Sequence, residues 1–401
     1  MKRYEVLVVG AGPAGCTAAR QCAKAGLSTL LLEKEKIPRE KRCAGGVSFA
    51  ALKELDFELP EEIIERRCIG MRAVQGEIQN EVRDTSCVAN MVTRSIFDEF
   101  LAGKAKESGA EIKEEEACTG VEENRDHVTV TTNKSQYRAN IVIGADGVFS
   151  VVARAVRPAF TDKELRFCLI ADVPLGKTRV DELSGNLVEL HYGYIEMGYA
   201  WLFPKRDYIS FGLGGNFTAA KGLKDRFSSF LELFGINAAG EYKGCFIPIT
   251  RFKHDLHTDR LMLAGDAAGF VDCFSGEGIH LAVAAGKRAA RTAAAAHNEN
   301  SFSKQVLHEY QDQFYKEFKA DLQWSRWFSS LLFRFPGLIL GNLIIRDEVI
   351  LNYFKVMSGE KHFKDFALWA LARLPYYLLR SGDRKKYRHA PPETGAAVPW
   401  V

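Results

Sequence analysis

Residues 4–33, YEVLVVGAGPAGCTAARQCAKAGLSTLLLE, decide the fold. Residues 5–9 are apolar and valine-rich, the composition of a strand buried on both faces. Gly10-Ala11-Gly12-Pro13-Ala14-Gly15 follows at the strand end as a G-x-G-x-x-G. Residues 16–25 are Ala-rich and helical, with Gly26 as the stop signal. A second apolar run, 28–32, ends at Glu33, an acid about 20 residues beyond the glycines. Together these make a complete βαβ unit of the dinucleotide-binding kind. Gly10 permits the tight turn, Gly12 lets backbone approach a pyrophosphate, and Gly15 lets the helix pack closely on the strand. Ala14 stands at the helix start, where free N–H groups meet phosphate. Glu33 is placed to accept hydrogen bonds from a ribose. The motif alone does not separate FAD from NAD.

The chain has 401 residues, 47% apolar and 26% charged, enough for two or three domains with large cores. A net charge of +3 is too small to imply a nucleic acid partner. Nine scattered cysteines without a C-x-x-C read as a reducing cytosol, not as a disulfide scaffold or a metal site. The first apolar run is too short and Gly-rich for a signal peptide or a span. The most apolar later segment, 327–345, is interrupted by Arg334, Pro336 and Gly337, so no transmembrane helix is expected.

After a charged loop, 34–41, comes Arg42-Cys43-Ala44-Gly45-Gly46, whose glycines allow backbone to lie against something flat or crowded. Spacing alone fits a plain loop with a buried cysteine at least as well. Helical patterning runs over 50–72 and strand alternation over 71–90. Arg94 opens an amphipathic helix, 96–108, where a cation works against the helix dipole; a ligand, a partner carboxylate or solvent would account for it. Strands are expected over 111–121, 128–132 and 137–143. The last delivers Gly144-Ala145-Asp146-Gly147 and then Ser150 and Arg154 to a helix start, at the carboxyl end of the sheet where α/β ligands bind. In GYAWLFPK, 198–205, Tyr199, Trp201 and Phe203 alternate and share one strand face. Alternation alone favours a core stripe. Phe211-Gly212-Leu213-Gly214-Gly215 lacks the third glycine of a dinucleotide loop and reads as a strand closely approached by its neighbours. A strand at 261–264 ends in Gly265-Asp266, and a Gly-rich turn, 274–279, precedes an Ala-rich helix, 280–296, whose start suits an anion. Residues 301–380 are helical and rich in aromatics that suit a small helical core.

Three motifs in this order, Gly10 to Gly15 with Glu33, residues 144–154, and Gly265-Asp266 with Gly278-Ile279, resemble the FAD enzymes of the p-hydroxybenzoate hydroxylase type. The resemblance covers roughly 1–300 and implies non-covalent FAD. It places Glu33 at the adenosine ribose, Asp266 at the ribityl and pyrophosphate region, and Gly278 and Ile279 by the flavin ring. Within that group, Cys43-Ala44-Gly45-Gly46 resembles the cysteine and glycine loop beside the flavin in the geranylgeranyl reductase family. Arg94 matches that family's FAD-contacting arginine, Ala117 a backbone contact, and Tyr199-Ala200-Trp201-Leu202-Phe203-Pro204 its Y-x-W-x-F-P on the substrate side. The family reduces isolated double bonds in isoprenoid chains of archaeal lipids, chlorophyll precursors or quinone tails. The implied fold is α/β: a Rossmann-like FAD-binding domain (1–50, 91–160 and 255–300) interleaved with an antiparallel-sheet substrate domain (51–90 and 161–254). C-terminal helices (301–380) and a tail (381–401) follow.

Saturating an unactivated trisubstituted alkene needs a proton on one carbon and a hydride, which reduced flavin carries, on the other. Protonation of the less substituted carbon leaves positive charge that aromatic faces stabilise by about 0.5–2 kcal/mol each. The resemblance puts Tyr199 and Trp201 there, with Phe203 packing beside the substrate. Cys43 is a candidate for positioning water or giving the proton, although a thiol is a poor acid for an alkene. The electron donor stays open between NAD(P)H and a reduced protein such as ferredoxin. A flavin monooxygenase or halogenase shares the fold, and the W-x-W-x-I-P of halogenases resembles this GYAWLFP; a non-catalytic flavin-bound lipid carrier is a further alternative. Residues 363–379 are apolar and aromatic, and Arg380, Arg384, Lys385, Lys386 and Arg388 follow. A cytoplasmic protein docked peripherally on the inner face of the cell membrane is the expectation.

Overall fold

The computed structural model describes residues 1–84, 88–237 and 242–379, and the backbone of 385–386. β1 (Lys2–Val9), α1 (Pro13–Lys24) and β2 (Thr29–Leu32) form the first βαβ unit, its strands parallel with Val6 opposite Thr29 and Val9 opposite Leu32. The chain then leaves through β3 (Gly46–Ser48), α2 (Phe49–Glu54), β4 (Ile64–Cys68), β5 (Gly70–Gln75), β6 (Ile78–Arg83) and β7 (Ala89–Val92). It returns with α3 (Arg94–Glu107), β8 (Glu111–Lys113), β9 (Cys118–Glu123), β10 (Val128–Thr132) and β11 (Gln136–Gly144). A second excursion comprises β12 (Leu165–Pro174), α4 (Lys177–Ser184), β13 (Leu187–Tyr192), β14 (Tyr199–Pro204), β15 (Tyr208–Asn216), α5 (Leu223–Glu232) and β16 (Lys243–Pro248). β17 (Leu261–Leu263) and α6 (Ile279–Asn298) rejoin the first unit. α7 (Lys304–Arg334), α8 (Gly341–Ile344), α9 (Asp347–Met357) and α10 (Phe363–Leu379) complete the described chain.

The first sheet has the order β8-β2-β1-β11-β10-β9, with β17 alongside the end of β11. Its β8, β2, β1, β11 and β17 are parallel, and Leu7, Val8, Leu30, Leu31, Val142 and Ile143 are fully buried between covering helices. A Cβ at Gly286 of α6 would stand 2.3 Å from the Ala14 carbonyl oxygen, so this glycine lets α6 lie directly on α1. The second sheet, β16-β12-β15-β14-β13-β5-β6, is antiparallel apart from the parallel β13–β5 pair, and Lys385–Lys386 adds a two-residue strand beside β6. β3, β7 and β4 make a small third sheet between them. Residues 51–90 thus divide between two sheets. α7 to α10 pack on the second sheet, where Phe328, Leu340, Phe354 and Phe366 share a core with Met71, Ala73 and Val82.

Three local expectations are corrected. Helical patterning over 50–72 is realised only in α2 and one 3-10 turn, Glu61–Ile63; buried Ile64 and Cys68 are instead the ends of β4, which pairs with β7. The run 111–121 breaks into β8 and β9, because Glu115 takes φ +54° and the segment bends around Glu33, whose carbonyl accepts the Glu116 N–H at 2.9 Å. After β11 no α-helix starts: the Asp146 carboxylate accepts the Ser150 hydroxyl at 2.5 Å and the Val151 N–H at 2.6 Å, capping one 3-10 turn, Val152–Ala155, before Pro158. Among the described residues no single helix is long and apolar enough to cross a membrane; α7 with the following Pro336–Ile344 passes only as a pair bent by 103°.

Candidate active site

A cavity of about 1030 Å³ runs from the first βαβ unit to the C-terminal helices. At its first end Gly10 has φ +99°, a conformation that side chains resist. A Cβ at Gly15 would stand 1.8 Å from the Gly10 carbonyl oxygen, whereas a Cβ at Gly12 would meet nothing within 4 Å. The turn is therefore packed on its protein side and open on its cavity side. No side chain caps α1 at Gly12, so its first-turn N–H groups are left to a ligand. Glu33, 3% exposed, directly follows β2; its Oε2 accepts the Ala11 N–H and the Arg39 Nε–H, both at 2.9 Å. Arg39 also binds Asp98 at 2.9 Å, and Asp98 holds Arg94 through Nε and Nη2, each at 2.9 Å. The cation at the start of α3 thus has its partner carboxylate one turn along its own helix, and both belong to a buried chain of alternating charges. Ala117 lines the cavity just before β9; its N–H donates to Asn133 Oδ1 at 2.9 Å and its carbonyl accepts the Asn133 N–H at 3.0 Å. Asp266, in a 3-10 turn, meets the start of α6: a Cβ on Gly278 would be 3.8 Å from its Oδ1, and buried Ile279 follows. Two uncapped helix starts, an open glycine turn and a buried acid at the end of β2, around one continuous groove, fit FAD.

The other half of the cavity is aromatic. Tyr199, Trp201 and Phe203 of β14 all line it, with successive ring centroids 6.0 Å and 6.4 Å apart. Gly212 on β15 stands opposite Trp201, and a Cβ there would be 2.0 Å from the indole, which therefore lies across the neighbouring strand. The buried Trp201 Nε1–H has no hydrogen-bond partner among the described residues. The Tyr199 hydroxyl donates to the Ser275 carbonyl, tying β14 to the turn before α6. Tyr192 extends the wall 6.1 Å from Tyr199.

Between the halves lies the Cys43 loop. Cys43 is half-buried, and its Sγ accepts the Gly45 N–H at 3.4 Å. Gly45 has φ +69° and would place a Cβ 2.1 Å from the Val92 carbonyl oxygen. A Cβ on Gly46 would touch the Phe203 ring at 3.3 Å. Lys205, 2% exposed at the end of the aromatic strand, donates from Nζ to the carbonyls of Ala44 at 2.6 Å and Val92 at 3.0 Å. Burial pushes its amine down to about 8, against the pull of Cys43 and Asp172. The ordinary amine value is 10.5, so the unfolded chain binds more protons between these two pH values. Stability of the wild type relative to Lys205→Met should therefore rise as pH increases from 8 to 10.5, by up to about 3 kcal/mol. Denaturant melts of both proteins across that window check this, and parallel curves would contradict it.

Two carboxylates stand where the halves meet. Asp272 Oδ1 accepts the N–H groups of Phe274 at 3.0 Å and Ser275 at 2.7 Å, shaping the turn. Glu277 Oε1 accepts the Ser48 hydroxyl. Burial pushes Glu277 up to about 7; the Ser48 bond opposes the shift and the Asp272 charge adds to it. No motif of the sequence assigns a role to Arg39, Lys205 or Glu277. Each left a trace there: a cation soon after the βαβ acid, a lysine directly after a buried strand, and a carboxylate between two glycines.

A family model described as an FAD binding domain matches residues 3–181. The chain is 32% identical over 327 residues to the digeranylgeranylglycerophospholipid reductase of Methanocaldococcus jannaschii, covering 77% of this chain and 81% of that protein. A geranylgeranyl bacteriochlorophyll reductase-like protein from Thermoplasma acidophilum superposes with a TM-score of 0.78 over 94% of this chain and 98% of its own, at 24% identity. A flavin-dependent brominase superposes with a TM-score of 0.71 over 94% of this chain and 100% of its own, at 20% identity, so the fold alone does not select the reaction. Sequence identity gives the family: the chain belongs to the geranylgeranyl reductase family of FAD-dependent oxidoreductases.

Proposed function

We propose that this FAD-dependent oxidoreductase saturates double bonds in geranylgeranyl-type chains carried on a glycerophospholipid. The observation that carries the reading is the continuity of the cavity: the groove that fits FAD opens into an apolar arm between Trp201 and the C-terminal helix residues Leu340, Leu343 and Ile350. An extended hydrocarbon has the right shape and chemistry for that arm. In this reading Gly10, Gly12, Ala14 and Gly15 admit the pyrophosphate, Glu33 meets the ribose, and Asp266 meets the ribityl chain. Cys43, Ala44, Gly46, Arg94 and Ala117 border the cofactor, and Gly278 and Ile279 aim helix N–H groups at it. Bound FAD, once reduced, supplies the hydride. Tyr199 and Trp201 present ring faces to the tertiary carbon that becomes positive, and Phe203, packed on Gly46, lines the path of the chain beside them. The electrons come from NAD(P)H or a reduced protein of the ferredoxin type.

Chemically reduced enzyme, kept anaerobic with a digeranylgeranyl phospholipid, should give lipids heavier by two hydrogens per bond in mass spectra. Products that gain oxygen or halogen under aerobic turnover would select the monooxygenase or halogenase reading instead.

Peripheral docking on the inner face of the cell membrane belongs to the same proposal. Phe335 and Leu338 are 48% and 55% exposed at the bend after α7, while Leu340 and Leu343, on the same short stretch, line the cavity. Arg380, Arg384 and Arg388, and the side chains of Lys385 and Lys386, lie outside the described residues. Removing an apolar side chain from lipid costs about 1.5–3 kcal/mol. Phe335→Ser/Leu338→Ser should therefore bind anionic vesicles roughly tenfold or more weakly in co-sedimentation. Turnover of a short, soluble prenyl alcohol should hold. Undiminished vesicle binding would remove the bend from the docking surface.

A further inference from the structure

The reduction needs an acid at the aromatic end of the cavity, held beside the cofactor, neutral before the reaction and with an oxygen left for the substrate. Tyr199 gives its hydroxyl proton to the Ser275 carbonyl, and Asp272 Oδ1 is taken by the turn it shapes. Glu277 meets the requirement. It stands immediately before Gly278, the start of α6, and its backbone is fixed: its N–H donates to Ser275 Oγ at 3.1 Å and its carbonyl accepts the Asp272 N–H at 2.9 Å. Ser48 from β3 holds Oε1, and Oε2 takes no hydrogen bond among the described residues where the side chain lines the cavity. The groups around it are Asp272 on its own turn, Ser48 on β3, Tyr199 on β14 and Tyr353 on α9.

Resting on the proposed alkene reduction, we propose that Glu277 is the catalytic acid that delivers the proton to the double bond through Oε2. The alkene takes the Glu277 proton at its less substituted carbon and the hydride of reduced flavin at the other. A C–H bond forms at each carbon and the π bond is lost. Glu277 is left as the carboxylate and the flavin oxidised; a proton from water restores Glu277, and the flavin regains its hydride either from NAD(P)H or from two electrons of a ferredoxin-type donor with a second proton from water. The value near 7 keeps much of the carboxyl protonated at neutral pH, as an acid for this step requires.

Glu277→Gln keeps the shape and the contact with Ser48 but has no acidic proton. It should saturate the prenyl chain about a hundredfold more slowly, with FAD content and dithionite titration of the flavin as in the wild type. Infrared difference spectra of the wild type should show a protonated carboxyl band that disappears as pH rises through about 7 and is missing in Glu277→Gln. The Ser48 hydroxyl favours the carboxylate, so Ser48→Ala should move that midpoint, and the alkaline limb of the saturation rate with it, to higher pH. A Glu277→Gln enzyme that saturates at the wild-type rate, or a Ser48→Ala enzyme with an unmoved limb, would overturn the assignment. If Glu277→Gln failed to hold FAD, the wild-type band and the Ser48→Ala shift would still decide it. A wild type that saturates nothing would sink the reading of the function, whereas the band reports separately on whether Glu277 is an acid.

Discussion

Gly15→Ala protein should emerge from purification colourless and less stable. Its Cβ would lie 1.8 Å from the Gly10 carbonyl oxygen, and the obstruction is backbone, which cannot rotate away. Either α1 moves off the strand end or the turn at Gly10 opens, and both displace the N–H groups proposed to meet the pyrophosphate. Overpacking of this kind costs about 1–3 kcal/mol in stability. FAD affinity should fall by at least about a hundredfold, the equivalent of losing roughly 3 kcal/mol. Gly12→Ala separates the two effects. Its Cβ would meet no protein atom within 4 Å, so the apoprotein should melt as the wild type does, yet the methyl group would stand where the pyrophosphate is proposed to pass. The flavin-to-protein absorbance ratio and the melting temperature of the two variants check both halves of the argument. Full FAD retention by Gly12→Ala would put the pyrophosphate elsewhere.

Trp201→Ala should slow saturation about a hundredfold while leaving FAD bound. The lost ring face is worth about 0.5–2 kcal/mol toward a neighbouring cation. The hole beside Gly212 would also let the chain wander from the geometry the flavin needs. Together these amount to roughly 2–3 kcal/mol of transition-state stabilisation, and 1.36 kcal/mol is tenfold in rate. Trp201→Phe should fall between. Single-turnover reduction under anaerobic conditions isolates the step, and flavin content measured on the same sample isolates binding. Loss of FAD in proportion to loss of rate would make Trp201 part of the cofactor site.

What the sequence disclosed was mostly local. The βαβ unit is legible because strand, glycine turn, helix and acid follow one another within 30 residues, each with its own composition. The aromatic strand is legible because a period of two places Tyr199, Trp201 and Phe203 together wherever the sheet lies. The partners of these elements were hidden by distance along the chain. Lys205 reaches Ala44 across 161 positions and Ser48 reaches Glu277 across 229, and no periodicity encodes such meetings. Arg94 shows the same limit from the other side. Its place at a helix start against the dipole leaves a ligand, a partner carboxylate and solvent open, and choosing Asp98 on its own helix needs side-chain geometry. The strand at Ile64–Cys68 reads as helix in the sequence because two apolar residues four apart satisfy a helix face and, equally, the two ends of a short strand.

β14 is fastened to the cofactor half at both ends, by Tyr199 to the turn before α6 and by Lys205 to the Cys43 loop. In the proposed reading the reacting centre is therefore a fixed chassis, while the far wall of the cavity comes from a separate, contiguous run of helices. For an engineer the two are different handles. Exchanging residues 304–379 between relatives should change which chain length and head group are accepted without retuning the redox chemistry. Substitutions on β14 itself should rarely change substrate choice without also disturbing the cofactor, because that strand has no slack to absorb them.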